Sequence, residues 1–222
     1  MSAYNCAIFD LDGTLLNALD DLAASTNYAL AAHGLKPRTT DEVRRFVGNG
    51  IANLIRRAVP EGSSEELTEA VHATFDAYYA THSIVMTKPY PGICELIDTL
   101  RGAGLSLCVV SNNGDYAVGP LVEHFFGHVF DIAVGEREGI RRKPWPDTVL
   151  ACMRACDARP QDCVLIGDSE VDVACAQAAS IDCIGVTWGF RDIETLRQAG
   201  AICTCDNTQE LESALMNHTI DG

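Results

Sequence analysis

Along the chain, short apolar runs rich in β-branched residues alternate with longer stretches whose apolar positions recur every three or four residues. The runs fall at residues 5–9, 105–110, 130–134, 163–166 and 183–186, with a weaker one at 201–204. Being apolar at nearly every position, they predict strands buried on both faces, which is the pattern of a parallel sheet covered by helices on either side. Helix-length segments separate most of them, so the expected fold is α/β, a doubly wound, Rossmann-like parallel sheet. Residues 91–101 read as one such helix, with Pro91 near its start and Gly102 and Gly104 near its end.

The interval between the first two runs is different. Residues 16–84 carry several helical patterns and no convincing strand, which predicts an inserted all-helical subdomain, residues 1–15 and 85–222 forming the core. Residues 20–32 are amphipathic and stop at Gly34, residues 40–47 stop at Gly48, and Ser63 with Glu66 reads as a capping box opening a helix that runs to about Thr81. From Asp206 onward the pattern is a final loop and helix.

A chain of 222 residues suits one sizeable domain, or a core with a smaller insertion. Its 47% apolar and 21% charged residues are ordinary for a globular protein. The formal net charge of -15 argues against broad nucleic-acid binding, which needs clustered Lys and Arg. A bound divalent cation would offset part of it. No basic segment precedes a long apolar run, and no stretch reaches the roughly 20 apolar residues of a membrane span, so a soluble cytoplasmic protein is expected. Most of the ten cysteines lie inside apolar runs, as Cys108 and Cys163 do, and read as small buried hydrophobes in a reducing compartment. Cys152 with Cys156 and Cys203 with Cys205 lack the CxxC spacing of a zinc or redox pair, and the six histidines show no metal-ligand spacing.

The strongest chemical signal is Phe9-Asp10-Leu11-Asp12-Gly13-Thr14-Leu15, directly after the first run. In an open parallel sheet, ligands bind beyond the carboxyl ends of the strands, so both carboxylates are expected at a site. Their spacing of two lets both side chains leave the strand on one side, and Gly13 permits a sharp turn. Two later runs also end in polar residues, at Val110-Ser111-Asn112 and at Gly167-Asp168-Ser169-Glu170-Val171-Asp172. Between them, Arg142-Lys143-Pro144 opens a helix-like segment, with Lys143 as a candidate fixed cation and Arg141 and Arg142 as surface charges. A phosphoryl dianion repels a carboxylate nucleophile, so attack needs cationic screening and donors placed around the redistributing charge. Asp10 and Asp168 offer hard oxygen ligands suited to Mg²⁺. Lys143 and the Ser111 hydroxyl suit the remaining phosphoryl oxygens. Asp12 is spaced to protonate a leaving alkoxide and then to deprotonate the attacking water.

These four pieces, in this order, resemble the haloacid dehalogenase superfamily: DxDGT, a strand-ending Ser, a Lys, then GDSxxD. The helical insert is similar to that superfamily's first type of mobile cap, and the short interval from Ser111 to Lys143 leaves little room for the other type. Within the superfamily, Val47-Gly48-Asn49-Gly50, Pro89-Tyr90-Pro91-Gly92 and Val186-Thr187-Trp188-Gly189-Phe190 resemble the phosphoglycolate phosphatases.

The resemblance implies Asp10 as nucleophile and Asp12 as general acid/base, with Mg²⁺ held by Asp10, the Asp12 carbonyl and Asp168, and Asp172 as an outer support. Thr14, Ser111, Asn112, Lys143, Gly48 and Asn49 are the implied substrate contacts, the last two in a cap loop that closes over the leaving group. A small phosphorylated metabolite is the implied partner, with a monomer or homodimer as the assembly. Asp12 disfavours the dehalogenase and phosphonate-hydrolase branches, which lack an acid there. Leu22 stands where the β-phosphoglucomutase branch has a His. Asn17, Asn113 and Trp145 depart from the pattern, which often has Asp, Lys, and His or a smaller residue there. Arg44 or Arg45 is a candidate partner for a substrate carboxylate. A pyrophosphatase or sugar-phosphate phosphatase, or a binding protein on a disabled version of the fold, are the alternatives weighed.

Overall fold

The computed structural model describes residues 4–217. Its strands are β1 (Cys6–Phe9), β2 (Leu16–Asn17), β3 (Lys88–Pro89), β4 (Ser106–Gly114), β5 (Ile132–Glu136), β6 (Cys163–Gly167), β7 (Asp182–Val186) and β8 (Cys203–Cys205). Six of them form one parallel sheet in the order β5-β4-β1-β6-β7-β8, the doubly wound α/β class expected from the continuous apolar runs. The order reverses at β1, whose Ile8 pairs with Cys108 on one side and Leu165 on the other. The end of β1 is therefore the topological switch point, where an open sheet leaves a crevice.

Alternation along β1 sends Ala7 and Phe9 to one face of the sheet and Cys6 and Ile8 to the other. On the first face they meet α5 (Ile93–Gly102), α6 (Asp115–Phe126) and α10 (Thr208–Asn217), through residues such as Leu96, Val118 and Leu211. On the second they meet α7 (Asp147–Ala155), α8 (Glu170–Ala179) and α9 (Ile193–Ala199), through Val149, Ala176 and Leu196. Phe9 is fully buried, and truncation to Ala there costs about 3–5 kcal/mol by the usual cavity and transfer terms. The cysteines on the second face pack as apolar side chains. Cys6, Cys108 and Cys156 bring their sulfurs within 4.8 Å of one another. Hydrogen bonds among neighbouring thiols and burial push Cys6 and Cys108 above the ordinary thiol range, which keeps both neutral.

Four helices lie between β2 and β3: α1 (Leu19–Ala32), α2 (Thr40–Phe46), α3 (Ile51–Ala58) and α4 (Glu65–His82). The chain leaves and rejoins the core through β2 and β3, which pair antiparallel, Leu16 opposite Pro89. Neither this two-residue ribbon nor α3 is visible in the sequence pattern. The ribbon is too short to show a period, and α3 follows Gly48-Asn49-Gly50 with no side-chain cap at Gly50. Two boundaries also move. The N-cap of α4 is Ser64, whose hydroxyl accepts from the Leu67 N–H, while Ser63 turns back to the Pro60 carbonyl. Pro144 does not open a helix, because α7 begins at Asp147, after a turn.

No helix among the described residues is long and apolar enough to cross a membrane.

Candidate active site

Three parallel strand ends converge beyond the sheet's carboxyl edge. Asp10 follows β1 directly, Ser111 and Asn112 lie toward the end of β4, and Asp168 follows β6. All four are buried, as are Lys143 and Asp172. The Lys143 ammonium donates to Asp10 Oδ1 at 2.7 Å, to Asp172 Oδ1 at 2.6 Å and to the Val110 carbonyl at 3.1 Å. Lys143 is held there by Asn112, whose Oδ1 accepts from the Lys143 N–H and whose Nδ2 donates to the Lys143 carbonyl. Burial by itself lowers a lysine, but the charges of Asp10 and Asp172 outweigh it and raise Lys143 above its ordinary value.

Asp172 is fully engaged. Its second oxygen takes the Ser169 N–H and hydroxyl at the start of α8, so it serves as capping group and lysine partner together. Asp168 is wedged between two glycines: a Cβ on Gly13 would lie 2.5 Å from its Oδ2, and one on Gly189 would overlap it. Its Oδ2 accepts from the Phe190 N–H at 2.6 Å.

Carboxylate oxygens of Asp10, Asp168 and Asp172 lie within 4.8 Å of one another. Burial pushes Asp10 well above the usual carboxylate range, against the pull of Lys143, and with the Asp172 charge it pushes Asp168 up to about 7. Three buried acids, Asp10, Asp168 and Asp172, with the half-buried Asp12 beside them, face the ammonium of Lys143, so the cluster carries excess negative charge on hard oxygen donors. That donor set fits a hard divalent cation such as Mg²⁺ and does not fit a soft one.

Asp12 lines the same cavity as Asp10. Burial pushes its carboxyl up to about 6, while hydrogen bonds from Asn113 and Ser111 pull the other way. Asn113 Nδ2 donates to Asp12 Oδ2 at 3.2 Å, and Asp12 Oδ1 is buried with no protein partner. Buried unpaired acceptors are rare, and one beside a nucleophile candidate suits a group waiting for a proton or a substrate atom. Asp10, Asp12, Ser111, Asn112, Asn113 and Lys143 line a cavity of about 30 Å³, closed by Leu22, Val47, Gly48, Gly50, Ile51 and Leu54 from the helical insert. That is space for one or two waters.

The chain from residue 7 to residue 186 matches the family model of the haloacid dehalogenase-like hydrolases. This protein is a haloacid dehalogenase-like hydrolase. Phosphoglycolate phosphatase 1 of Pseudomonas aeruginosa is 32% identical over 211 residues, covering 92% of this chain and 77% of that one. The phosphoglycolate phosphatase of Chromobacterium violaceum is 33% identical, covering 94% and 95%. A crystal structure from Lactobacillus delbrueckii subsp. bulgaricus, whose name gives phosphoglycolate phosphatase as a provisional activity, superimposes with a TM-score of 0.91 at 35% identity, covering 97% and 99%.

Not every expected residue of this hydrolase reaches the cavity. Thr14 is fully buried outside the lining; its hydroxyl has no partner and its carbonyl accepts from the Trp188 indole N–H. Asn49 stays outside as well, its carbonyl accepting from Asn53, while neighbouring Gly48 lines the cavity and receives Asn112 Nδ2 at 3.1 Å. Asn112 faces the cavity, but its amide is occupied by Lys143 and Gly48. Arg44 and Arg45 are exposed on α2 and absent from the lining, as is Trp145, which lies under the Arg141 guanidinium. Asn17 sits in the β2–β3 ribbon.

Other contributors carry no motif. Tyr79 of α4 places its hydroxyl 3.3 Å from Asn113 Nδ2. Arg191 donates to the Val47 carbonyl at 2.7 Å and to the Arg44 carbonyl at 3.4 Å, capping the end of α2 from the core side. Neither could be found from the chain alone, since Tyr79 lies on an ordinary apolar helix stripe and Arg191 on a loop.

Proposed function

We propose that this hydrolase is a phosphatase acting on a small phosphate monoester through an aspartyl-phosphate formed on Asp10. The observation that carries the reading is the pairing of Asp10 Oδ1 with Lys143 at 2.7 Å, beside an Asp12 whose Oδ1 is buried and unpartnered. Lys143 and the Leu11 N–H both engage Oδ1 of Asp10, which orients the other oxygen as the attacking atom.

In the first step Asp10 attacks phosphorus, the bond to the leaving oxygen breaks, and Asp12 gives its proton to the departing alkoxide. In the second, Asp12 takes a proton from water, the water oxygen attacks the aspartyl-phosphate, and inorganic phosphate leaves as Asp10 is regenerated. Lys143 and the Ser111 hydroxyl stabilise the equatorial oxygens. Asp10, the Asp12 carbonyl and Asp168 would hold Mg²⁺, which when bound screens the repulsion between the phosphoryl dianion and the carboxylates. Asp172 acts at one remove, fixing Lys143 and the start of α8. The helical insert from residue 16 to residue 84 acts as the cap, excluding water from the aspartyl-phosphate during transfer and selecting the leaving group.

The names of the relatives support 2-phosphoglycolate as substrate, and a cytoplasmic monomer or homodimer is the proposed setting. The apolar wall of Leu22, Val47, Ile51 and Leu54 favours a second reading, a monoester with a neutral leaving group such as a small sugar phosphate. Comparing kcat/KM across a panel of phosphorylated metabolites separates the two, because only the insert's contacts differ between them.

The chemistry is tested with Asp10→Asn, which preserves volume. We expect turnover of 4-nitrophenyl phosphate to fall at least about a thousandfold with the melting temperature kept within a few degrees. Undiminished turnover in a folded variant removes Asp10 from the nucleophile role.

A further inference from the structure

We infer that Asn113 is a positioning residue through which the helical insert sets the orientation of Asp12, with the Tyr79 hydroxyl as the point of contact. The inference rests on the general acid/base role proposed above for Asp12.

One nitrogen makes both bonds. Asn113 Nδ2 donates to Asp12 Oδ2 at 3.2 Å and to the Tyr79 hydroxyl at 3.3 Å. A primary amide carries two N–H bonds, so both are used. On its other side, Asn113 Oδ1 accepts from the Gly114 N–H at 2.8 Å, and the Asn113 N–H donates to Ser111 Oγ at 3.0 Å. The amide plane is thus pinned at three places: the β4 backbone, the acid, and a helix of the insert. With Asp12 Oδ1 unpartnered, the bond from Asn113 to Oδ2 is what decides how the carboxyl is turned.

Tyr79 brings the insert into this arrangement. It is fully buried, stacked on Phe75 with ring centroids 5.3 Å apart, so its hydroxyl goes where α4 goes. A second contact seats the same helix on the core, from the Tyr116 hydroxyl to Asp76 Oδ1 at 2.8 Å. When α4 is seated, the second N–H of Asn113 has a fixed acceptor. When α4 withdraws, that acceptor is lost, and the terminal torsion of an asparagine is broad enough for the amide to turn. Asp12 is therefore aligned for proton transfer only while the insert is closed, so the acid is ready when the leaving group is enclosed and relaxed when it is not.

The test uses the leaving group as its readout. A 4-nitrophenolate departs without protonation, whereas an alkoxide needs the proton from Asp12. The ratio kcat/KM reports transfer to Asp10 and not the later hydrolysis of the aspartyl-phosphate, which isolates the acid step. For Asn113→Ala we expect kcat/KM on ethyl phosphate to fall about tenfold to a hundredfold, and on 4-nitrophenyl phosphate by less than about threefold. Tyr79→Phe, which keeps the ring packing, should shift the ratio the same way by about threefold. The double variant should show no more selectivity than Asn113→Ala alone, since both act through one bond path. Equal losses on the two substrates, or independent effects that multiply in the double variant, overturn the inference. Asp12→Asn serves as the reference. If it too fails to discriminate, the acid role of Asp12 falls; if it discriminates while Asn113→Ala does not, only the role of Asn113 falls.

Discussion

Gly13 has φ +93°, and a Cβ there would meet Asp168 Oδ2 at 2.5 Å. Two demands therefore meet at one position: a left-handed backbone that turns the chain after Asp12, and contact with a carboxylate arriving from another strand. Gly13→Ala should leave the sheet intact by circular dichroism and lower kcat/KM by about a hundredfold, the usual consequence of moving a reacting group by an ångström. A loss of less than about twofold would mean that Asp168 can shift freely. The turn requirement is legible in Asp-Gly-Thr, but the closeness of Asp168 is not, because Gly13 and Asp168 stand 155 positions apart in the chain and meet only in the fold.

Asp21 shows how one buried acid joins two elements. It lies in the first turn of α1 and accepts hydrogen bonds from the Met86 N–H, the Thr87 N–H at 2.8 Å and the Thr87 hydroxyl at 2.7 Å, just before β3. The bond group fastens the start of the insert to its end, beside the β2–β3 ribbon. Asp21→Ala leaves these donors without their acceptor and should cost about 2–4 kcal/mol, measured as a loss in urea denaturation free energy, with Asp21→Asn milder. An Ala variant as stable as the parent would show that the insert is held elsewhere. Both Asp20 and Asp21 lie in the first turn of α1, where the helix dipole favours negative charge and would leave both exposed. Asp20 is exposed and fits that reading, whereas Asp21 is buried and does not. The difference is one of facing, which only the packing of α1 on the return segment decides.

The whole molecule has a formal net charge of -15, and its buried acidic cluster sits between β1 and β6. Because that cluster has too few cations of its own, Mg²⁺ binding should stabilise the folded state. At a hundred times its Kd the ion would add about 2.7 kcal/mol, a rise of about 5–10 °C in Tm, and chelation should silence turnover until Mg²⁺ is restored. Asp168→Asn should lose the thermal shift along with the activity, and an unchanged Tm in the parent would contradict the metal assignment. The sheet was written into the chain, because strands buried on both faces must be apolar throughout and the crossovers between them must be helices. The convergence of Asp10, Asp12, Ser111, Lys143 and Asp168 on one edge of the sheet was legible there too, since all stand at or near the ends of those elements. Local patterning carries such information because each strand and turn obeys its own nearest-neighbour physics. What needed the folded molecule were the contacts between distant segments: Tyr79 reaching Asn113, Arg191 capping α2, and Thr14 and Asn49 turned away from the cavity. Those depend on how the insert is seated on the core, a matter of long-range packing that leaves no period, cap or spacing in the chain.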